Sequence, residues 1–163
     1  MKQTENNKLT DHNLMQALKK MDLDGKIEEK SGQVYFVFEH EKQQFPVFLR
    51  ILHEGDLLQL LTFIPCNVNL DAIADMARFL HMANKELDMP GFCLDESSLT
   101  VFYRLLLPSQ EKRFDEDLLR AYLGTGQTIC KNFATIIEAL AMGAMNLEEI
   151  LVKVNELKSS EGK

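Results

Sequence analysis

Val34-Tyr35-Phe36-Val37-Phe38-Glu39 places large side chains at every position in a run rich in aromatic and β-branched residues. A similar run returns in Val47-Phe48-Leu49-Arg50-Ile51-Leu52 and again from Leu57 to Ile64. A strand turns successive side chains to opposite faces, so Val34, Phe36 and Phe38 share one face while Tyr35, Val37 and Glu39 share the other. The links between the runs are short: a polar turn around His40 to Gln44, then His53-Glu54-Gly55-Asp56. Strands joined so briefly run antiparallel, and the stretch reads as a three-stranded meander closed by Pro65.

Working outward, helical spacing appears on both sides. Upstream, Leu14, Ala17, Leu18 and Met21 form one stripe behind a cap at Thr10 or Asp11, with Gly25 as the stop. Downstream, Leu70, Ile73, Ala74, Ala77, Leu80, Ala83 and Leu87 predict a helix crossing the sheet, with Asn69 as its cap. Pro90-Gly91 breaks it, and Gly91 to Asp95 with Leu99 to Leu107 predict a hairpin turning through Glu96, Ser97 and Ser98. From Phe114 a long helix carries Leu118, Leu119, Tyr122, Ile129, Phe133, Ile136, Ile137 and Leu140. Gly124 and Gly126 each lower its propensity by about 1 kcal/mol. Gly143 ends or bends it, and Asn146 with Glu149 is a capping-box start for a last helix bearing Leu147, Ile150, Leu151, Val154 and Leu157. The expected fold is α+β: an antiparallel five-stranded sheet with helices packed on it, in the order α-βββ-α-ββ-α-α. A single domain is expected over residues 9–157, between disordered tails at 1–8 and 158–163.

At 163 residues the chain has the length of one domain. Its net charge of −7 repels phosphate backbones and anionic lipid, which argues against nucleic acid and membrane surfaces as partners. Cys66, Cys93 and Cys130 are odd in number and form no CxxC pair, which fits a reducing compartment. The start, Met1 to Lys8, has no apolar core of a signal peptide, and no stretch approaches the ~18 apolar residues of a membrane span. The expectation is a cytoplasmic protein.

Motifs that carry chemistry are not found. His12, His40, His53 and His81 form no HxH, HxxxH or HExxH set. Gly124-Thr125-Gly126-Gln127-Thr128 lacks the GK[ST] ending of a phosphate loop and follows a helical stretch, so it reads as close helix packing. Asp22-Leu23-Asp24-Gly25 opens like a calcium loop, yet its twelfth position is Gln33 where a bidentate Glu is required. The acid-rich run Glu111 to Asp117 suits a turn and the N-terminus of a helix. Met142 and Met145 flank Gly143 and read as core filling or an adaptable contact surface. No catalytic residue, cofactor or metal site is assigned, and the chain is read as a non-enzyme.

The functional signal lies in the second face of the sheet. One face of such a sheet is ordinarily polar, yet Tyr35, Val37, Phe48, Leu52, Phe102 and Leu106 fall on it, relieved by Glu39, Arg50, Thr100 and Arg104. Three covers are open: the C-terminal helix, a second subunit, or an extended client segment. Tyr35, Val37, Phe48, Arg50, Leu52, Phe102 and Arg104 are therefore the candidate partner-binding residues. The competing expectation is a small-ligand sensor holding an apolar metabolite between sheet and C-terminal helices.

The segment Asn84 to Pro108, running Asn-Lys-Glu-Leu-Asp-Met-Pro-Gly-Phe-Cys-Leu-Asp-Glu-Ser-Ser-Leu-Thr-Val-Phe-Tyr-Arg-Leu-Leu-Leu-Pro, resembles the YbjN-like family. The likeness rests on an Asn-containing helix end, a Gly-Phe-x-Leu-Asp strand, a tight turn and a strand ending in Arg and apolar residues. It spans residues 9 to 140, and the helix after Asn146 departs from the simplest pattern. That family looks like the class I type III secretion chaperones in fold. The resemblance implies a bacterial, chaperone-like homodimer that binds a protein client or regulatory partner.

Overall fold

The computed structural model describes residues 7–161, with side chains through residue 156. Of the tails expected at 1–8 and 158–163, residues 1–6 and 162–163 lie outside the described residues, while residues 158–161 continue the last helix. Among the described residues four helices and six strands follow in the order α1 (Asp11–Lys20), β1 (Lys26–Ile27), β2 (Val34–His40), β3 (Gln43–Leu52), β4 (Leu57–Phe63), α2 (Ile73–Glu86), β5 (Phe92–Asp95), β6 (Thr100–Pro108), α3 (Glu116–Ala141) and α4 (Leu147–Glu161). The sheet has six strands, ordered β1-β2-β3-β4-β6-β5, and this corrects the expected five. The missed strand is β1. Two residues long, it shows no alternation, and it exists because Lys26 and Ile27 meet Tyr35 and Val34 across the fold. The chain forms two compact units, Met1–Phe63 with Tyr103–Lys131, and Ile64–Phe102 with Asn132–Lys163.

In the first unit the meander is antiparallel and in one register. Phe36 faces Val47 and Phe38 faces Phe45, while Leu49 faces Leu60 and Ile51 faces Leu58. This puts Val34, Phe36, Phe45, Val47, Leu49, Leu58 and Leu60 on one face, each at most 3% exposed, with Tyr103 and Leu105 of β6 also buried. Burying that much branched and aromatic surface is the main driving force for the unit. α1 buries Leu14, Ala17 and Leu18. Its N-terminus is capped as expected, Thr10 Oγ1 accepting the Asn13 N–H at 3.3 Å. The first half of α3 buries Leu119, Leu123 and Cys130. A Cβ at Gly126 would meet Thr62, Tyr103 and Leu105 at 3.7 to 3.9 Å, so the helix comes close to β4 and β6 there. Gly124 meets nothing, so only the second glycine of the pair is a packing glycine.

The β2–β3 turn is Glu41-Lys42, with φ of 51° and 67°. Both central residues lie in the left-handed region that two-residue hairpins need and that Asn-Gly adopts readily. Glu41→Asn with Lys42→Gly is expected to stabilise the protein by about 1 to 2 kcal/mol, read as a higher urea midpoint at constant m-value. An unchanged or lower midpoint would show that the Glu-Lys side chains contribute something the backbone does not reveal.

In the second unit α2 buries Met76, Phe79, Leu80 and Ala83. This differs from the expected stripe: Leu70 is 72% exposed, and Ala74 and Ala77 face outward. A single tight turn, Leu70–Ala72, precedes the helix and resets its angular phase, and the Asn69 side chain caps nothing there. Phe133 of α3 lies 6.4 Å from Phe79 and 5.2 Å from Phe92, centroid to centroid. α3 ends in a Schellman motif, in which Ala144 N–H bonds to Ala139 O and Gly143 N–H to Leu140 O, with Gly143 at φ 71°. The capping box of α4 is reciprocal, Asn146 N–H to Glu149 Oε2 and Glu149 N–H to Asn146 Oδ1, each 2.9 Å.

Candidate partner-binding face

On the other face of the meander, register aligns Tyr35 with Phe48 and Phe48 with Leu61, one residue from each of three strands. Phe48 is the centre of this row. It stacks on Tyr35 at 5.3 Å and meets Phe63 edge-on at 5.8 Å. Such contacts are worth about 0.5 to 1.5 kcal/mol beyond area and hold the rings as a rigid platform. The row is flanked on one side by Val37 opposite Pro46 and on the other by Arg50 opposite Gln59, whose side chains meet at 3.5 Å. Leu52 faces Leu57 beyond them.

The face is not sealed. Val37 and Leu106 are each 45% exposed, and Tyr35, Phe48, Leu52, Leu61 and Phe63 are half-buried. Arg50 and Arg104 are exposed. Tyr35, Val37, Phe48, Arg50, Leu52 and Arg104 belong to the first unit, whereas Phe102, half-buried in β6, belongs to the second. Leu57, Leu61 and Phe63 of β4 are apolar residues on this face that sequence reasoning left out. The signal for them was present in the parity of Leu57 to Ile64, once paired through the short turn to β3.

The second unit explains the Gly-Phe-x-Leu-Asp segment. Asn84, on α2, accepts the N–H groups of Gly91 and Phe92 at 3.0 and 2.9 Å through Oδ1 and donates through Nδ2 to Phe92 O at 2.9 Å. Its amide acts as a one-residue strand beside β5. Asp95 Oδ1 accepts from the Ser97 hydroxyl at 2.6 Å and the Ser97 N–H at 2.9 Å, fixing the β5–β6 turn. The Ser97 and Ser98 hydroxyls and the Ser97 N–H hold that carboxyl down at about 2. A cavity of about 420 Å³ lies between α2, α3 and α4, lined by Phe79, Met82, Ala83, Phe133, Leu151 and Val154 among others.

Two thiols are chemically quiet. Burial pushes Cys130 up to about 12, the Thr62 hydroxyl offsetting part of this, and burial with the nearby Glu138 carboxylate pushes Cys66 to about 11. Among the described residues no group of three or more His, Cys, Asp or Glu is placed to hold a metal, and no helix is long and apolar enough to cross a membrane.

A family model described as "Putative bacterial sensory transduction regulator", YbjN, matches residues 10–139, most of the chain. The chain belongs to the YbjN family. Among solved structures it is similar to the crystal structure of YbjN from E. coli, titled a "putative transcription regulator". That match has a TM-score of 0.60 at 11% identity, over 82% of this chain and 93% of the other. At that identity the likeness to E. coli YbjN is one of fold. The HopA1–SchA chaperone–effector complex is also matched, with TM-score 0.46 and 13% identity over 75% of this chain and 90% of the other. Comparison with curated proteins gives no match.

Proposed function

We propose that this YbjN-family chain is a non-enzymatic, cytoplasmic protein-binding module that acts as a homodimer, folds as one domain over 9–157, and holds a client or regulatory partner against the second face of its sheet. The observation that carries this is the row Tyr35–Phe48–Leu61, an aromatic platform left half-open between Val37 and Arg50. Rigid aromatic side chains beside arginine are the usual anchors of protein interfaces. Arg104, exposed on β6 in the same unit, belongs to the proposed surface as well.

The test is native mass spectrometry of mildly purified protein, comparing wild type with Phe48→Ser and Tyr35→Ser. Wild type should carry a second polypeptide of defined mass that both variants lose while keeping a native circular dichroism spectrum. Variants that keep the bound polypeptide would overturn the assignment, and variants that unfold would make the row core. The second reading, a small-ligand sensor, is favoured by the apolar cavity between α2, α3 and α4. It predicts a co-purified molecule of low mass in place of a polypeptide.

A further inference from the structure

β2 is seven residues long, but β1 covers only its first two, pairing Lys26 with Tyr35 and Ile27 with Val34. The same register continues into Glu28, whose N–H donates to Gln33 O at 2.9 Å. In an antiparallel pair the residues whose N–H and C=O point to one neighbour alternate along the strand. Gln33 points toward the β1 side, so Tyr35, Val37 and Glu39 do too, while Phe36, Phe38 and His40 point to β3. The hairpin gives an independent check, because His40 and Gln43 close the two-residue turn and such a closing pair is hydrogen-bonded.

β1 begins at Lys26, and the chain before it turns on itself, Gly25 N–H bonding to Leu23 O. Tyr35 therefore has a strand partner, whereas Val37 and Glu39 direct two N–H and two C=O groups from an edge that no described strand covers. Both side chains are exposed and lie on the same face as the aromatic row. At the other end of the strand order, Phe92 of β5 already has its N–H and C=O taken by Asn84.

We infer that the Val37–Glu39 edge of β2 accepts an extended segment of another polypeptide as an added strand, with an apolar residue opposite Val37 and a basic residue opposite Glu39. This rests on the protein-binding reading above and names the chemistry of its partner. Four main-chain hydrogen bonds give the segment its grip, and pleating sends those two side chains onto the aromatic face. Charge selects a basic strand at this edge: Glu39 stands exposed there, and the chain's net −7 attracts a cationic segment.

The probes are two capped tetrapeptides, Val-Thr-Lys-Thr and Thr-Lys-Thr-Val, one for each strand direction, each setting Val opposite Val37 and Lys opposite Glu39 without reaching Tyr35, which β1 occupies. In the free protein the amides of Val37 and Glu39 should exchange freely while those of Phe36 and Phe38 are protected. At millimolar peptide the Val37 and Glu39 amides should shift and become protected. Val37→Pro removes the outward N–H without touching the β2–β3 ladder, since proline is tolerated at an edge, and should weaken binding about tenfold or more. Glu39→Lys, which reverses a solvated charge, should do the same should the proline variant fail to fold.

Protected amides in the free protein, or no peptide effect at Val37 and Glu39, would overturn the inference. So would a concentration-dependent mass doubling that Val37→Pro abolishes, because the edge would then serve a second copy. If Phe48→Ser loses the natural partner while Val37→Pro and Glu39→Lys keep it, the face reading stands and the edge inference fails.

Discussion

Asn84→Leu is expected to lower stability by about 3 kcal/mol, a fall in melting temperature of about 6 to 12 °C for a chain of this size. Leucine keeps the branched four-heavy-atom outline of asparagine, in a larger volume, but offers no polar atom. Three hydrogen bonds disappear together, leaving the N–H groups of Gly91 and Phe92 and the carbonyl of Phe92 beside an apolar side chain. Phe92 is 4% exposed, so water reaches these groups poorly and the desolvation cost remains. Asn84→Asp keeps the acceptor for both N–H groups but sets a carboxylate oxygen against Phe92 O where the donor had been, and should cost about 1 to 3 kcal/mol at neutral pH. Equal stability of the leucine variant and wild type in urea unfolding would remove Asn84 from its role as the partner of β5.

Stability should fall on the alkaline side, with a slope of about 1.4 kcal/mol per pH unit for the buried Cys130 thiol and a smaller one for the half-buried, partly solvent-screened Cys66. Cys130 is held near 12 by burial and Cys66 near 11, while Tyr103, 1% exposed, is pushed to about 12 by burial and by the neighbouring Cys130. All three are raised, so the native state keeps protons that the unfolded chain releases. Their contribution is complete below pH 9, where the unfolded thiols are still protonated, and is lost as pH rises through 11 and 12. Urea midpoints between pH 9.5 and 10.5 should give more than the single-thiol slope in wild type, and Cys130→Ala should remove half of it or more. A flat profile, or a slope unchanged in Cys130→Ala, would mean that these thiols ionise freely in the folded protein.

The features legible in the sequence are those encoded within a few residues. The capping box needs only Asn146 and Glu149 and is found where their spacing puts it. The meander is legible because period two in Val34–Phe38 admits one register once the turns are short. β1 is illegible because two residues carry no period, and the burial phase of α2 was misread because the tight turn Leu70–Ala72 rotates it. The second face illustrates the limit for the site. Alternation placed Tyr35, Val37 and Phe48 together, but their exposure and the vacant positions on the β2 edge depend on where β1 ends. Asn84 stood in the segment that carries the family resemblance, yet its bonds to Gly91 and Phe92 link residues separated by a helix end and a Pro-Gly break.

The first unit is assembled from two stretches, and residues 64–102 must be made before the second stretch begins. At translation rates of about 5 to 20 residues per second, the meander waits about 3 to 14 seconds between completion of β4 and synthesis of Lys131. During that interval Phe38 and Thr62, which lie against Lys131 and Cys130 of α3 in the folded unit, have no α3 beside them. A nascent chain at this point presents apolar surface on both sides of a young sheet, so the rate at which the ribosome passes residues 64–131 governs how long it needs protection from its neighbours.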